Sequence, residues 1–329
     1  MLNTEMPAAV ISTHAASPEY LLRPLPRRES GQALVRVMAA PISPLDLLCA
    51  SGKSYFGAPQ LPYIPGTQGV GIVMEAEVLA PGQRVWFTCD AGMKPGDGSM
   101  ALYCVIDESS ALVLPDQIDS DLAAALGLSA IAAWMALTWR GHLQPGEQVL
   151  VLGASGAVGQ VAVQAARLLG AGRVIAASRN EDGRTLALSL GADAVVDLSG
   201  GDVDEISGRI AAACDGPLSL VIDPVWGLPA EAAVRALAIE GRLINIGSAA
   251  GPTARFESAI VRSRLQAILG YTNSALTHEQ KAQTLTKILT HAAAGRCTVE
   301  RETVPLAKAA EAWERQAAFA RRKLILVPG

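Results

Sequence analysis

The 329-residue chain reads as an α/β protein in which a β-rich N-terminal part precedes a doubly wound parallel sheet. Three observations predict this. Up to about residue 115, short apolar runs ("QALVRVMAA", "GVGIVMEAEVL", "QRVWFTC", "MALYCVI") are separated by Pro and Gly, the pattern of many short strands. From about Leu122 single strands alternate with Ala-rich helices, which suits parallel strands joined by helical crossovers. A content of 50% hydrophobic against 18% charged residues supplies apolar surface for two cores.

In the second part the candidate strands are "QVLVLG", "RVIAAS", "AVVDL", "LSLVIDP", "RLINIG" and "LQAILGY", with helices such as "QVAVQAARLLGA" and "EDGRTLALSLGA" between the first of them. The longest apolar run, residues 122–137, is Ala-rich and shorter than a membrane span, so it reads as a buried helix. After Thr277 come a long helix "HEQKAQTLTKILTHAAAG", the segment "CTVERETVPL", a helix "AKAAEAWERQAAF" and a closing strand "KLILVP". That strand has no evident partner in the second part, which predicts its return to the first. The boundaries expected are residues 1–121, completed by about 264–329, for the first domain and 122–263 for the second.

A net charge of −4 and a pI near 5.7 leave no basic field, so neither nucleic acid nor an anionic membrane is expected as a partner. Cys49, Cys89, Cys104, Cys214 and Cys297 lack CxxC spacing, which predicts neither a disulfide framework nor a zinc knuckle. A reduced, cytoplasmic setting fits them. The opening "MLNTEMPAAVISTHAASPEY" shows no charged-then-apolar secretion signal.

The stretch "VLVLGASGAVGQVAVQAARLLGA", residues 149–171, reads strand, glycine turn, helix. Gly153, Ala154, Ser155, Gly156, Ala157, Val158 and Gly159 form an A-x-G-x-x-G variant of the dinucleotide fingerprint with a glycine ahead of it. Gly156 lets the backbone approach a pyrophosphate, Gly159 lets the helix pack on the strand, and the helix N-terminus offers free N–H groups. The next strand ends in Ser178, Arg179 and Asn180, with no carboxylate until Glu181. A carboxylate there selects NAD by binding the ribose hydroxyls, whereas an arginine fork and a hydroxyl suit a 2′-phosphate. NADPH is the expected cofactor, with Arg184 one turn further on as a second cation.

The whole chain resembles the medium-chain dehydrogenase/reductase superfamily in its zinc-free quinone oxidoreductase branch. "PLDLLCASG", "LPYIPGTQGVGIV", "PGQRVW", "LQPGEQVLVLGASGAVG", "VIDPVWG", "GRLINIGSAAG" and "KLILVP" follow in the family's order. The resemblance implies a GroES-like β-barrel domain with a Rossmann domain inserted in it, a homodimer, and an active site in the cleft between domains. It places Ser129 near the nicotinamide in compensation for Ala132, Trp226 close to the cofactor's path, and Gly247 and Ser248 at the sheet edge beside the nicotinamide. It also puts Gly183 where relatives carry a lysine and Leu198 where they carry a tyrosine.

Thr67 and Gln68 stand where zinc-dependent members carry His-Glu, so no metal is expected. Hydride addition to an already electrophilic carbon needs only positioning and hydrogen-bond donors. Ser43 falls at the branch's usual asparagine, Asp46 at its aspartate, and Tyr55 resembles its pocket tyrosine; these are the candidate catalytic residues. Tyr63 reads as packing. The function expected is NADPH-dependent reduction of quinones or α,β-unsaturated carbonyl compounds. The alternatives are an enoyl- or haloacrylate-type reductase and a non-catalytic, crystallin-like or regulatory NADPH-binding protein.

Overall fold

The computed structural model describes residues 4–329, so residues 1–3 of the opening stretch lie outside the described residues. In chain order the elements are β1 (Glu5–Val10), β2 (Glu19–Pro24), β3 (Gln32–Pro41), α1 (Pro44–Ala50), β4 (Gln68–Glu75), β5 (Arg84–Thr88), β6 (Tyr103–Asp107) and β7 (Ala111–Val113). There follow α2 (Ser120–Met135), β8 (Gln148–Leu152), α3 (Ala157–Leu168), β9 (Arg173–Ser178), α4 (Glu181–Ser189), β10 (Ala194–Asp197), α5 (Val203–Ala213), β11 (Leu218–Asp223) and α6 (Gly227–Ala236). The chain closes with β12 (Arg242–Asn245), α7 (Ser258–Ser263), β13 (Ala267–Gly270), α8 (His278–Ala293), β14 (Arg301–Pro305), α9 (Ala309–Ala317) and β15 (Lys323–Val327).

Two compact units result, Met1–Gly127 with Val299–Gly329, and Leu128–Thr298. The first holds a seven-stranded sheet of order β14-β15-β3-β4-β5-β7, with β6 paired to β3, and a two-stranded β1-β2 sheet. The closing strand does return to this unit: β15 runs antiparallel to β3 and parallel to β14. The second unit is a six-stranded parallel sheet of order β10-β9-β8-β11-β12-β13. The order reverses between β8 and β11, the switch point at which doubly wound sheets bind ligands. All five residues of β8 are buried, as a strand covered on both faces requires.

The boundaries differ from those expected. Residues 264–298 belong to the parallel-sheet unit, because β13 pairs with β12 and α8 turns Leu285, Ile288 and Leu289 inward. Thr284 bonds to Met135, and the His291 ring lies 5.5 Å from that of Trp134. Residues 122–127 belong to the first unit. There α2 breaks at Gly127, whose backbone (φ 25°, ψ −128°) is non-helical and where a side chain would run into Gln68. The helical stretch Ser120–Arg140 is long and apolar enough to cross a membrane by composition, but 78% of that window is buried inside the protein.

Candidate functional site

The glycine turn forms as the sequence predicts. Gly153 takes φ 62°, a conformation that side chains disfavour, and the Ala154 N–H donates to the Ala177 carbonyl at 3.0 Å, tying the turn to β9. Gly156 is the N-cap of α3 at φ −79°, ψ 165°, and no side chain caps the helix. The first-turn N–H groups of Ala157, Val158 and Gly159 therefore lack an intrahelical acceptor. A side chain at Gly159 would collide with the Gly153 carbonyl and come within 2.6 Å of Ala154 Cα; one at Gly156 would meet only the Gly153 oxygen at 3.5 Å. The turn is thus closed on the strand side and open above, a backbone cradle for an anion.

At the end of β9, Ser178 is buried and its Oγ lies 3.2 Å from Ser155 Oγ. Arg179 is exposed, and among the described residues no carboxylate pairs with it. Asn180 has a structural duty: its Oδ1 accepts the Gly183 N–H at 2.7 Å and caps α4. Arg184 is also engaged, donating to the Ser178 carbonyl at 3.1 Å and pairing with Asp197 at 2.9 Å. The second cation expected beside Arg179 is therefore held by a neighbouring carboxylate. Gly183 has a steric reason: a Cβ there would lie 2.6 Å from Ser155 Cβ and 2.8 Å from Ser178 Oγ.

On the other side of the switch point, β11 ends in Asp223, fully buried. Its Oδ1 accepts the N–H groups of Val225 (2.9 Å) and Trp226 (2.8 Å), and Asn245 Nδ2 lies 3.3 Å from Oδ2. Burial pushes this carboxyl above the usual carboxylate range against the pull of those bonds. The clamp holds Trp226 at φ 59° as the N-cap of α6, with its ring 5.4 Å from Phe256. Trp226 is thus a backbone-strained corner whose side chain packs against the core of the parallel-sheet unit. β12 ends at Asn245 rather than at Gly247; the Gly247 carbonyl accepts from Asn245 Nδ2 at 2.8 Å, and Ser248 is exposed. Ser129 is buried in α2, and among the described residues no hydrogen bond ties it to the turn.

In the first unit a polar cluster forms around α1. Ser43 caps the helix and Asp46, 2% exposed, completes the capping box. Asp46 Oδ2 accepts from Ser43 N (2.7 Å) and Ser43 Oγ (2.6 Å), while Oδ1 accepts from Thr67 N (2.9 Å). The sequence suggests Ser43 as a donor to substrate, but in this arrangement its hydroxyl proton is committed to Asp46. Tyr55 is 72% exposed, with its ring 4.4 Å from that of Phe56.

Two hydroxyls that the sequence does not mark as donors to a substrate are buried here with no hydrogen-bond partner among the described residues: Tyr63 Oη and Thr67 Oγ1. A Cβ at Gly92 would lie 2.8 Å from Cys49 Cβ and 3.1 Å from Tyr63 Oη, so the glycine keeps the space beside the phenol clear. Burial, then Cys49 and Asp46, push the Tyr63 phenol up, so it remains a proton donor. Lys323 on β15 and Asp46 feel each other's charge. As zinc ligands this set does not fit: among the described residues no three His, Cys, Asp or Glu side chains are grouped to hold a metal.

A barrel-type unit joined to a parallel sheet with an open glycine cradle at its switch point defines a nucleotide-dependent dehydrogenase class. Comparison with known proteins places the chain within it. Residues 29–116 match the family model for the alcohol dehydrogenase GroES-like domain, and residues 157–289 match that for zinc-binding dehydrogenase. The chain is 35% identical over 213 residues to quinone oxidoreductase-like protein 2 of Bos taurus, a match covering 64% of this chain and 58% of that relative. It is 30% identical over 258 residues to the Rattus norvegicus protein of the same name, covering 77% and 71%. The solved quinone oxidoreductase of Thermus thermophilus, known also in complex with NADPH, superposes with a TM-score of 0.82 at 28% identity over 98% of this chain and 100% of that one. The chain belongs to the medium-chain dehydrogenase/reductase superfamily, in its quinone oxidoreductase-like branch.

Proposed function

We propose that the chain is an NADPH-dependent reductase whose acceptors are conjugated to a carbonyl, either quinones or α,β-unsaturated carbonyl compounds. The observation that carries this reading is the uncapped N-terminus of α3 above the Gly153 and Gly159 close contacts, with Arg179 left unpaired at the end of β9. The cradle suits the pyrophosphate, and Arg179 with the Ser155–Ser178 hydroxyl pair suits a 2′-phosphate. The NADPH complex known for the Thermus thermophilus relative supports the same choice.

When bound, NADPH supplies a hydride. The residues of the first unit supply the hydrogen bonds that the acceptor's oxygen needs as negative charge develops on it. The unpartnered Tyr63 and Thr67 hydroxyls are suited to that task, and Asp46 holds the Thr67 backbone in place. In this reading no step is routed through a metal, which the lack of three grouped His, Cys, Asp or Glu side chains among the described residues supports. Steady-state loss of NADPH with 1,4-naphthoquinone and 2-cyclohexenone, in reactions that consume one proton per hydride, tests the proposal. Saturable nucleotide binding without turnover of either acceptor refutes it in favour of a non-catalytic binder.

A further inference from the structure

Lys323 opens an otherwise apolar strand, KLILV, yet is only 4% exposed. Strand register explains where its charge goes. Ile325 lies opposite Pro41 and Leu326 opposite Ala40, and the Ile42 N–H donates to the Leu324 carbonyl at 2.9 Å. Continuing that register sets Lys323 level with Ser43, at the start of α1. Lys323 and Asp46 act on each other: the carboxylate favours the ammonium, and the ammonium favours the carboxylate. The two form no direct ion pair.

Ser43 is where that longer-range interaction has a consequence. The Ser43 and Thr67 N–H bonds to Asp46 can run in only one direction. The 2.6 Å contact between Ser43 Oγ and Asp46 Oδ2 is one hydrogen bond whose direction depends on whether the carboxyl is protonated. With Asp46 ionised, the serine hydroxyl donates to Oδ2 and offers only lone pairs to a ligand. With Oδ2 protonated, the carboxyl donates to Oγ, and the serine's own hydrogen is turned away and free to donate. No electrons move; the carboxyl takes up one proton from solvent and the serine keeps its own.

We propose that Lys323 is a positioning residue that, through Asp46, sets whether the Ser43 hydroxyl accepts from or donates to a ligand's oxygen. The assignment of that ligand as a carbonyl acceptor rests on the function proposed above. Burial raises the Asp46 carboxyl, while the Ser43 bonds and then Lys323 lower it, so the cation opposes protonation. The other titratable groups that feel Asp46 are Cys49, Tyr63 and Cys89, each of which burial helps push upward; Cys49 reaches about 11. All three remain neutral in the working range, which leaves Lys323 as the charged group that opposes protonation of Asp46 alongside the Ser43 bonds.

The test is direct titration of the carboxyl by 13C NMR in protein labelled at aspartate Cγ, with the Asp46 resonance identified by its loss in Asp46→Asn. Lys323→Met should raise the Asp46 midpoint by about one pH unit or more, and Lys323→Arg should leave it near wild type. Lys323→Gln serves if the Met variant does not fold. In kinetics, the pH at which KM for 2-cyclohexenone begins to rise should move upward with the carboxyl midpoint in Lys323→Met, and Ser43→Ala should flatten the profile. A carboxyl midpoint unmoved by loss of Lys323 overturns the proposal, as does a KM profile in Ser43→Ala that keeps its wild-type pH dependence. If no acceptor is turned over by any variant, the functional reading fails, while the carboxyl titration still decides the role of Lys323.

Discussion

Replacing Lys323 by methionine should make the protein more stable at neutral pH. Burial holds the Lys323 ammonium down at about 8 from its ordinary 10.5. That drop is roughly two and a half pH units, and at about 1.36 kcal/mol per unit the folded state carries a cost of about 3 kcal/mol. The sign follows from proton counting. Between about 8 and 10.5 the unfolded chain binds more protons at this position than the folded one, so wild-type stability rises with pH across that window. Below it the whole cost is present. Methionine fills a similar volume without charge, and Asp46 keeps the hydrogen bonds from Ser43 and Thr67 that hold its carboxylate. The gain should therefore reach up to about 3 kcal/mol at pH 7 and shrink toward zero near pH 10.5. Cys49, pushed up to about 11, titrates in the same range with the opposite slope, but it is common to both proteins and cancels in the difference. Urea unfolding of both proteins under reductant, at neutral and alkaline pH, measures this. A methionine variant less stable than wild type at neutral pH, or a difference that does not narrow at alkaline pH, refutes the reasoning.

Arg179→Ala should weaken NADPH binding roughly 10- to 100-fold, the worth of a charge-assisted bond, and leave NADH nearly unchanged; equal losses for both nucleotides would contradict the role given to the end of β9. Thr67→Val removes a buried hydroxyl that has no partner in the free protein, so stability should hold or rise by about 1 kcal/mol while kcat/KM for enones falls about tenfold. Unchanged kcat/KM would return Thr67 to mere packing. Activity should persist in chelator, with metal analysis finding no stoichiometric zinc; loss of activity on zinc removal would overturn the metal-free reading. Light scattering should show a dimer through edge strand β13, with Leu265 just before it 67% exposed. A monomer at micromolar concentration would count against it.

Much of the second unit is legible in the sequence because each strand is a short apolar run with a turn signal after it, as in "QVLVLG" and "RVIAAS". The glycine turn is legible for a stronger reason: Gly153 needs a positive φ and Gly159 a missing side chain, and both requirements are local. What escapes is set by distant contacts. Residues 264–298 stay with the parallel sheet because α8 packs on Met135 and Trp134, which no local pattern records. Arg184 looks like a free phosphate ligand until β10 brings Asp197 beside it. Tyr63 reads as packing and Lys323 draws no notice until folding buries both, with Thr67 and Asp46. Two buried ionisable groups stand at an end of an apolar strand, Lys323 opening "KLILV" and Asp223 closing "LSLVID".

The most direct test of the central claim is to follow the hydrogen itself. Wild-type protein in chelator is given NADPH carrying deuterium at the transferred position of nicotinamide C4, together with 2-cyclohexenone, and the product is analysed for label. The account predicts deuterium at the carbon β to the carbonyl, with the second hydrogen drawn from solvent. Product without label, or NADPH that binds and is never consumed by any conjugated acceptor, would contradict it.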